Sequence, residues 1–148
     1  MKGTFTTRFL NAADDVGRGI LDQGLRTFND DKSVWHRDIR QTGGQPFDIY
    51  IEDTTGAIVA GLYGEIYWQA MEVDRLWVSA ELRHQGLGSM LITRAEKHAR
   101  EQSCRFIHLS TFSFQAPEFY LRHGFDKVGE LNDMPPGHSK IWLRKDLL

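Results

Sequence analysis

The chain has 148 residues, 41% hydrophobic and 26% charged, with a formal net charge of −2 and one cysteine. These values suit one soluble globular domain, residues 1–148, large enough to bury a core without staples, and they exclude an internal disulfide. The near-neutral balance gives no pull toward nucleic acid or an anionic membrane, and with no secretory h-region and no run of about 18 apolar residues the chain reads as cytoplasmic.

Residues 4–10, Thr-Phe-Thr-Thr-Arg-Phe-Leu, have β propensity and are expected to form a first strand. Asn11 is placed to cap a helix, with Asp14 and Asp15 in its first turn. Val16, Ile20, Leu21, Leu25 and Phe28 then recur at helical spacing. Gly17, Gly19 and Gly24 each weaken that helix by about 1 kcal/mol against alanine, so it is expected to break in two or to move. Residues 29–45 are polar and without a clear period, and they end in the loop signal Thr42-Gly43-Gly44-Gln45-Pro46.

From Phe47 the pattern turns to strands. Phe47, Ile49 and Ile51 alternate with polar neighbours, residues 53–56 make a turn, and residues 57–68 return as a second arm. A third strand follows over residues 70–79. Its apolar parity changes partway: Met71 and Val73 are odd, Leu76 and Val78 even. An extra residue near Asp74 and Arg75 would reconcile the halves as a β-bulge, and a strand buried on both faces would need no parity at all.

Residues 83–91, Arg-His-Gln-Gly-Leu-Gly-Ser-Met-Leu, stand where that strand hands over to a helix continuing to about Gln102. Leu87, Met90, Leu91, Ala95 and Ala99 line the helix's apolar face. Residues 105–112 read as a strand, with Cys104 a small buried residue just before it. Residues 116–123 read as a short helix with Pro117 in its first turn and Gly124 closing it. Strands over residues 125–131 and 141–145 flank a loop over residues 132–137.

A helix start offers unpaired N–H groups and the positive end of the dipole, and glycines let a bulky anion come close, so residues 83–89 propose a diphosphate cradle. No Gly-Lys pair is present for a Walker loop, and the third glycine of a dinucleotide fingerprint is replaced by Leu91. The pattern that fits is (Gln/Arg)-x-x-Gly-x-(Gly/Ala), met by Arg83, Gly86 and Gly88. It resembles the acyl-CoA loop of the GNAT superfamily of N-acetyltransferases. A second block, residues 116–125, resembles the family's A-x-x-x-Y-x-x-x-G-F, and the α/β order agrees along nearly the whole chain.

The resemblance implies a GNAT-like mixed, mostly antiparallel sheet, splayed between its fourth and fifth strands and flanked by helices. It implies an acyltransferase that uses acetyl-CoA as co-substrate and acetylates a primary amine, taken here as that of a small molecule, by direct attack in a ternary complex. Protein or peptide acetylation, or a non-catalytic CoA-binding sensor, are the alternatives. Arg83, His84 and the backbone N–H groups of Gln85, Gly86, Leu87, Gly88 and Ser89 would face the pyrophosphate. N–H groups near Trp77 and Val78 would bond the thioester and pantetheine. Ser113, where many members carry asparagine, could bond the pantetheine arm or nearby backbone. Tyr120 would protonate the departing thiolate. Glu72 matches a catalytic carboxylate of the histone-acetylating branch; Asp74, His108 or a water relay are the other routes for the amine's proton.

The acceptor would lie opposite the donor, where Asp30, Asp31, Glu65 and Asp133 could meet a cation. Trp35, Tyr67, Trp68, Phe112 and Phe114 could wall it or simply be core. No close pair of the HxxxH or CxxC type points to a metal. Domains of this resemblance are often homodimers through late strands, and Ile141-Trp142-Leu143 is apolar enough to allow it.

Overall fold

The computed structural model describes residues 3–148, which fall into two units divided between Thr42 and Gly43. The first unit is helical. The expected strand over residues 4–10 does not form, because β propensity is realised only against a neighbouring strand and these residues join no ladder. Helix α1, Asp15–Lys32, starts from Asp14 rather than Asn11. The Asp14 carboxylate accepts from Gly17 N at 3.1 Å, and a Cβ on Gly17 would stand 2.8 Å from that carboxylate. Gly17 thus belongs to the cap. Only Gly19 and Gly24 carry the interior penalty, and the helix runs through both unbroken.

The polar stretch that follows is not a loop. Ser33 interrupts the helix, its hydroxyl accepts from His36 N at 3.3 Å, and α2, Val34–Thr42, begins. Arg40 reaches back from α2 to the Asp30 carboxylate and to Arg26 O at 3.2 Å, fixing the corner.

The second unit is one six-stranded sheet with two helices. Its strands are β1 (Gln45–Glu52), β2 (Ile58–Tyr67), β3 (Ala70–Val78), β4 (Phe106–Phe112), β5 (Asp126–Asn132) and β6 (Ser139–Asp146). The order is β1-β2-β3-β4-β6-β5, antiparallel except for β3 beside β4. Between β3 and β4 run a 3-10 turn, Ala80–Leu82, and helix α3, Leu87–Glu101; α4, Pro117–Arg122, joins β4 to β5. Apart from the missing first strand this is the expected mixed sheet, and the strands that part are therefore the third and fourth.

Helix α3 buries Leu91, Ile92, Ala95 and Ala99 against Leu62, Met71, Val73, Ile107 and Leu143. Met90, assigned to that face from its spacing, is 59% exposed, and Ile92 takes its place. A buried aliphatic side chain of this kind is worth about 1.5–3 kcal/mol. No helix among the described residues is long and apolar enough to cross a membrane.

The parity change in β3 is a bulge. Tyr63 pairs with Arg75 and the next residue, Gly64, with Val73, so Asp74 is the extra residue. Gly64 is required opposite it: a Cβ there would lie 1.9 Å from Glu72 O.

Candidate active site

Strands β3 and β4 pair only from Ala70–Phe106 to Val73–Leu109. Beyond that point they part, and a cleft of about 1080 Å³ opens between them. Val73 to Val78 form one wall, Leu109 to Phe112 the other; the loop before α3 and the residues of α4 close the ends. Ser79 N donates to Val59 O at 2.9 Å, so by the alternation of an antiparallel ladder Trp77, paired with Gly61, also turns its N–H toward β2. Leu76 and Val78 turn theirs into the cleft. Of the two residues expected to offer a free amide, Val78 has that orientation, whereas Trp77 lines the cleft by other atoms.

The loop is built for an anion. Gly86 has φ +83°, which favours glycine, and a Cβ there would meet only open space, so a ligand can reach its backbone. The first helical bond of α3 is Met90 N to Gly86 O at 3.0 Å; the N–H groups of Leu87, Gly88 and Ser89 precede it and have no acceptor within the helix. Arg83 is held alongside by its Nε, which donates to Val78 O at 3.2 Å. This donor set fits a diphosphate. Arg83, His84, Gly86, Leu87, Gly88 and Ser89 all line the cleft. Gln85 does not, and its carboxamide donates to Glu81 O at 3.3 Å.

Gly88 has a second reason to be glycine. Its absent Cβ would stand 3.2 Å from the Phe119 ring, so α4 is packed directly on the first turn of α3. Phe119 both lines the cleft and packs against the core. Tyr120 is buried, sits edge-on to Phe119 and Phe125 at ring separations of 5.1 and 5.8 Å, and also lines the cleft. Burial pushes its phenol above the ordinary tyrosine value. Ser113 takes the backbone option: its Oγ accepts from Ser139 N at 3.0 Å, and it does not line the cleft. Gln115 does line it, its Oε1 accepting from Phe112 N at 3.0 Å where β4 has lost its neighbour. Nothing in the local sequence marked Gln115, or Arg75, Arg122 and Lys140, as cleft residues, because only the parting of the strands brings them together.

Glu72 lies outside the cleft lining, on the sheet face opposite α3. The register sets Glu65, Glu72, His108 and Arg144 in a row across β2, β3, β4 and β6. Two carboxylates directly opposite repel. The Tyr67 hydroxyl offsets this by donating to Glu72 Oε2 at 2.5 Å, and burial, followed by Glu72, Glu65 and Asp74, raises the Tyr67 phenol to about 12. Glu65 in turn folds over Gly44, where a Cβ would clash with its carboxylate at 1.8 Å. The other acids expected to greet a cation already have partners: Asp30 has Arg40, Asp31 has Lys32 at 3.0 Å, and Asp133 accepts from Gly137 N at 2.9 Å. Phe112 and Phe114 stack with ring centroids 5.6 Å apart, and both line the cleft.

Residues 20–125 match the model of the family described as "Acetyltransferase (GNAT) family". A blasticidin-S acetyltransferase of Streptomyces morookaense is 40% identical over 130 residues, 83% of this chain and 96% of that protein. The crystal structure of an acetyltransferase from Bacillus cereus superposes with a TM-score of 0.80 at 31% identity, covering 95% of this chain and 98% of that one. A Bacillus anthracis protein described as a streptothricin acetyltransferase, solved in complex with acetyl coenzyme A, shares the fold at 19% identity, with a TM-score of 0.62 over 70% of this chain and 64% of that one.

Proposed function

The chain belongs to the GNAT family of acetyltransferases, and from that premise we propose that it moves an acetyl group from acetyl-CoA to the primary amine of a small molecule, by direct attack with both substrates bound. The observation that carries the reading is the parting of β3 and β4, with the first turn of α3 at one end of the cleft and Tyr120 on its wall. The family match spans both structural units, which supports a single catalytic domain.

Acetyl-CoA supplies an activated acetyl thioester when bound. The main-chain N–H groups of Leu87, Gly88 and Ser89, with Arg83 and His84 beside them, hold its diphosphate. The Val78 N–H, turned into the cleft, donates to the acyl oxygen; a preorganised donor of this kind is typically worth about 2.7–4 kcal/mol. Tyr120 holds a proton on its phenol oxygen for the leaving sulfur, and burial keeps that phenol neutral. On the far face of the sheet Glu72, oriented by Tyr67, takes the proton of the incoming ammonium, with Glu65 adding negative charge next to it.

A small-molecule acceptor is supported by the blasticidin-S acetyltransferase, which this chain matches over nearly that protein's whole length. A homodimer through the Ile141-Trp142-Leu143 run loses most of its basis, because β6 lies between β4 and β5 and buries Ile141 and Leu143, leaving only Trp142, 38% exposed; sedimentation equilibrium reads the oligomeric state directly. The deciding experiment is a thiol-release screen with acetyl-CoA against blasticidin S, streptothricins, aminoglycosides, polyamines, amino acids and peptide N-termini. Release with one class of small amines is expected. Release with peptides alone would overturn the acceptor class, and no heat of acetyl-CoA binding in calorimetry would overturn the donor.

A further inference from the structure

One side chain joins the two elements that this reading puts to work, and the reading gives it no task. His123 stands at the C-terminal end of α4, three residues after Tyr120. Its Nδ1 lies 2.7 Å from Phe119 O and its Nε2 lies 2.9 Å from Ser89 Oγ, in the first turn of α3. The ring also packs on the Phe119 ring at 4.4 Å, and Phe119 in turn covers Gly88.

The partners dictate the proton positions of the neutral ring. A carbonyl oxygen only accepts, so Nδ1 carries the hydrogen. Nε2 is then a lone pair, and the Ser89 hydroxyl donates to it. That bond uses the only proton of the serine side chain, so toward an anion Ser89 can offer its main-chain N–H and not its hydroxyl. The side chain of Ser89 is thus committed to α4, and its backbone is left for the cleft.

We propose that His123 is a positioning residue, tying the first turn of α3 to the helix that carries Tyr120 so that the diphosphate site and the phenol share one geometry. The proposal rests on the acetyl-CoA reading of the cleft. The Phe119–Gly88 contact also joins the two elements, but apolar packing is non-directional, so without the tie each can shift while the other holds. Sub-ångström looseness at a reacting centre is enough to lower turnover.

Two substitutions separate this role from ordinary helix capping. His123→Asn places an amide N–H where Nδ1 was, which keeps the bond to Phe119 O and cuts the one to Ser89. His123→Gln reaches the place of Nε2 with its carbonyl oxygen and restores an acceptor for Ser89. The expected result is a loss of about tenfold in kcat/KM for acetyl-CoA in His123→Asn, shared between KM and kcat, with Tm nearly unchanged. Ser89→Ala should give a similar loss, the double variant no more than either alone, and His123→Gln should recover most of the activity. Losses that multiply in the double variant, or Asn and Gln variants with equal activity, would overturn the proposal.

Amide hydrogen exchange of the unliganded protein provides a readout that does not depend on the cofactor. Faster exchange at Met90 and Leu91 in His123→Asn, reversed in His123→Gln, is expected, and unchanged exchange there would also overturn the tie. If the wild-type protein binds no acetyl-CoA while the exchange difference is present, the functional reading has failed and the tie has not.

Discussion

The two halves of β3 make an instructive contrast. Over Ala70 to Val73 the strand is zipped between β2 and β4, and Ala70, Met71 and Val73 are buried. From Asp74 to Val78 it keeps β2 and loses β4, and it becomes the wall of a cleft. Composition does not separate the halves, since Leu76 and Val78 are as apolar as Met71 and Val73. The bulge at Asp74 does. It returns Leu76 and Val78 to the core side of the sheet after the parity has slipped, and it decides which main-chain amides face the opening. One strand can then be both core and active-site wall, because its side chains answer to one constraint and its backbone to another.

The sharpest way to break that contrast is Gly64→Ala. With a Cβ 1.9 Å from Glu72 O, the chain has to move β3 away from β2 at the bulge, an overpacking cost of about 3 kcal/mol or more, read as a fall of about 10 °C in Tm. Next is Tyr120→Phe, which leaves both halves of β3 intact. It should lower kcat about 100-fold with the KM for acetyl-CoA unchanged. Because burial raises the phenol above its ordinary value of 10.0, any alkaline loss of wild-type activity through Tyr120 should come only above pH 10. An unchanged kcat in the phenylalanine variant would remove Tyr120 from the chemistry.

Smaller is Glu72→Gln, on the zipped half: about a tenfold fall in kcat near pH 7, narrowing as rising pH deprotonates the amine without help. A fall that stays constant with pH would point to a structural role. The smallest effect belongs to the zipped segment, where Lys145 pairs with Ile107 and Glu96 of α3 accepts from Lys145 at 2.5 Å and from Arg100 at 2.8 Å. Burial alone would raise this carboxyl, and the two cations outweigh it and hold it below the ordinary 4.5. Its contribution, about 1 kcal/mol, is fully present above that value and is lost as pH falls through the lower, folded one. Wild type should therefore lose more stability than Glu96→Gln in urea melts between about pH 5 and 3.

Much of the second unit was legible in the chain, because its signals are local. The odd-to-even switch from Met71 and Val73 to Leu76 and Val78 left a bulge and a doubly buried strand as the two readings, of which the structure has the bulge, and Gly124 closes its helix in a left-handed turn as read. The first unit was less so. Residues 4–10 have strand-like side chains and no ladder, and Gly17 reads as a helix breaker until its place beneath the Asp14 carboxylate is seen. In the cleft, the glycine loop stands at a strand-to-helix handover that is local in sequence, and Tyr120 was singled out only by its resemblance to a family block. The Ser89–His123 bond spans 34 residues, and Gln115 matters only because β4 loses its neighbour, so neither leaves a mark in a window of sequence.

The far end of the paired segment is clasped by one residue: Arg105 N donates to Gln69 O at 2.8 Å, Arg105 Nη2 to Trp68 O at 3.3 Å, and Leu147 N to Arg105 O at 2.9 Å. Strands β3 and β4 are thus a pair of tweezers with this clasp behind the fulcrum at Val73 and Leu109. Five residues of strand make an arm of about 17 Å, so a tilt of about 5° at the fulcrum moves the tips by about 1.5 Å. A misplacement of about 1 Å can cost a factor of about 100 in rate. The leverage makes the width of the jaws a property of the hinge, and Arg105, which does not line the cleft, becomes a residue through which drift or design can retune them.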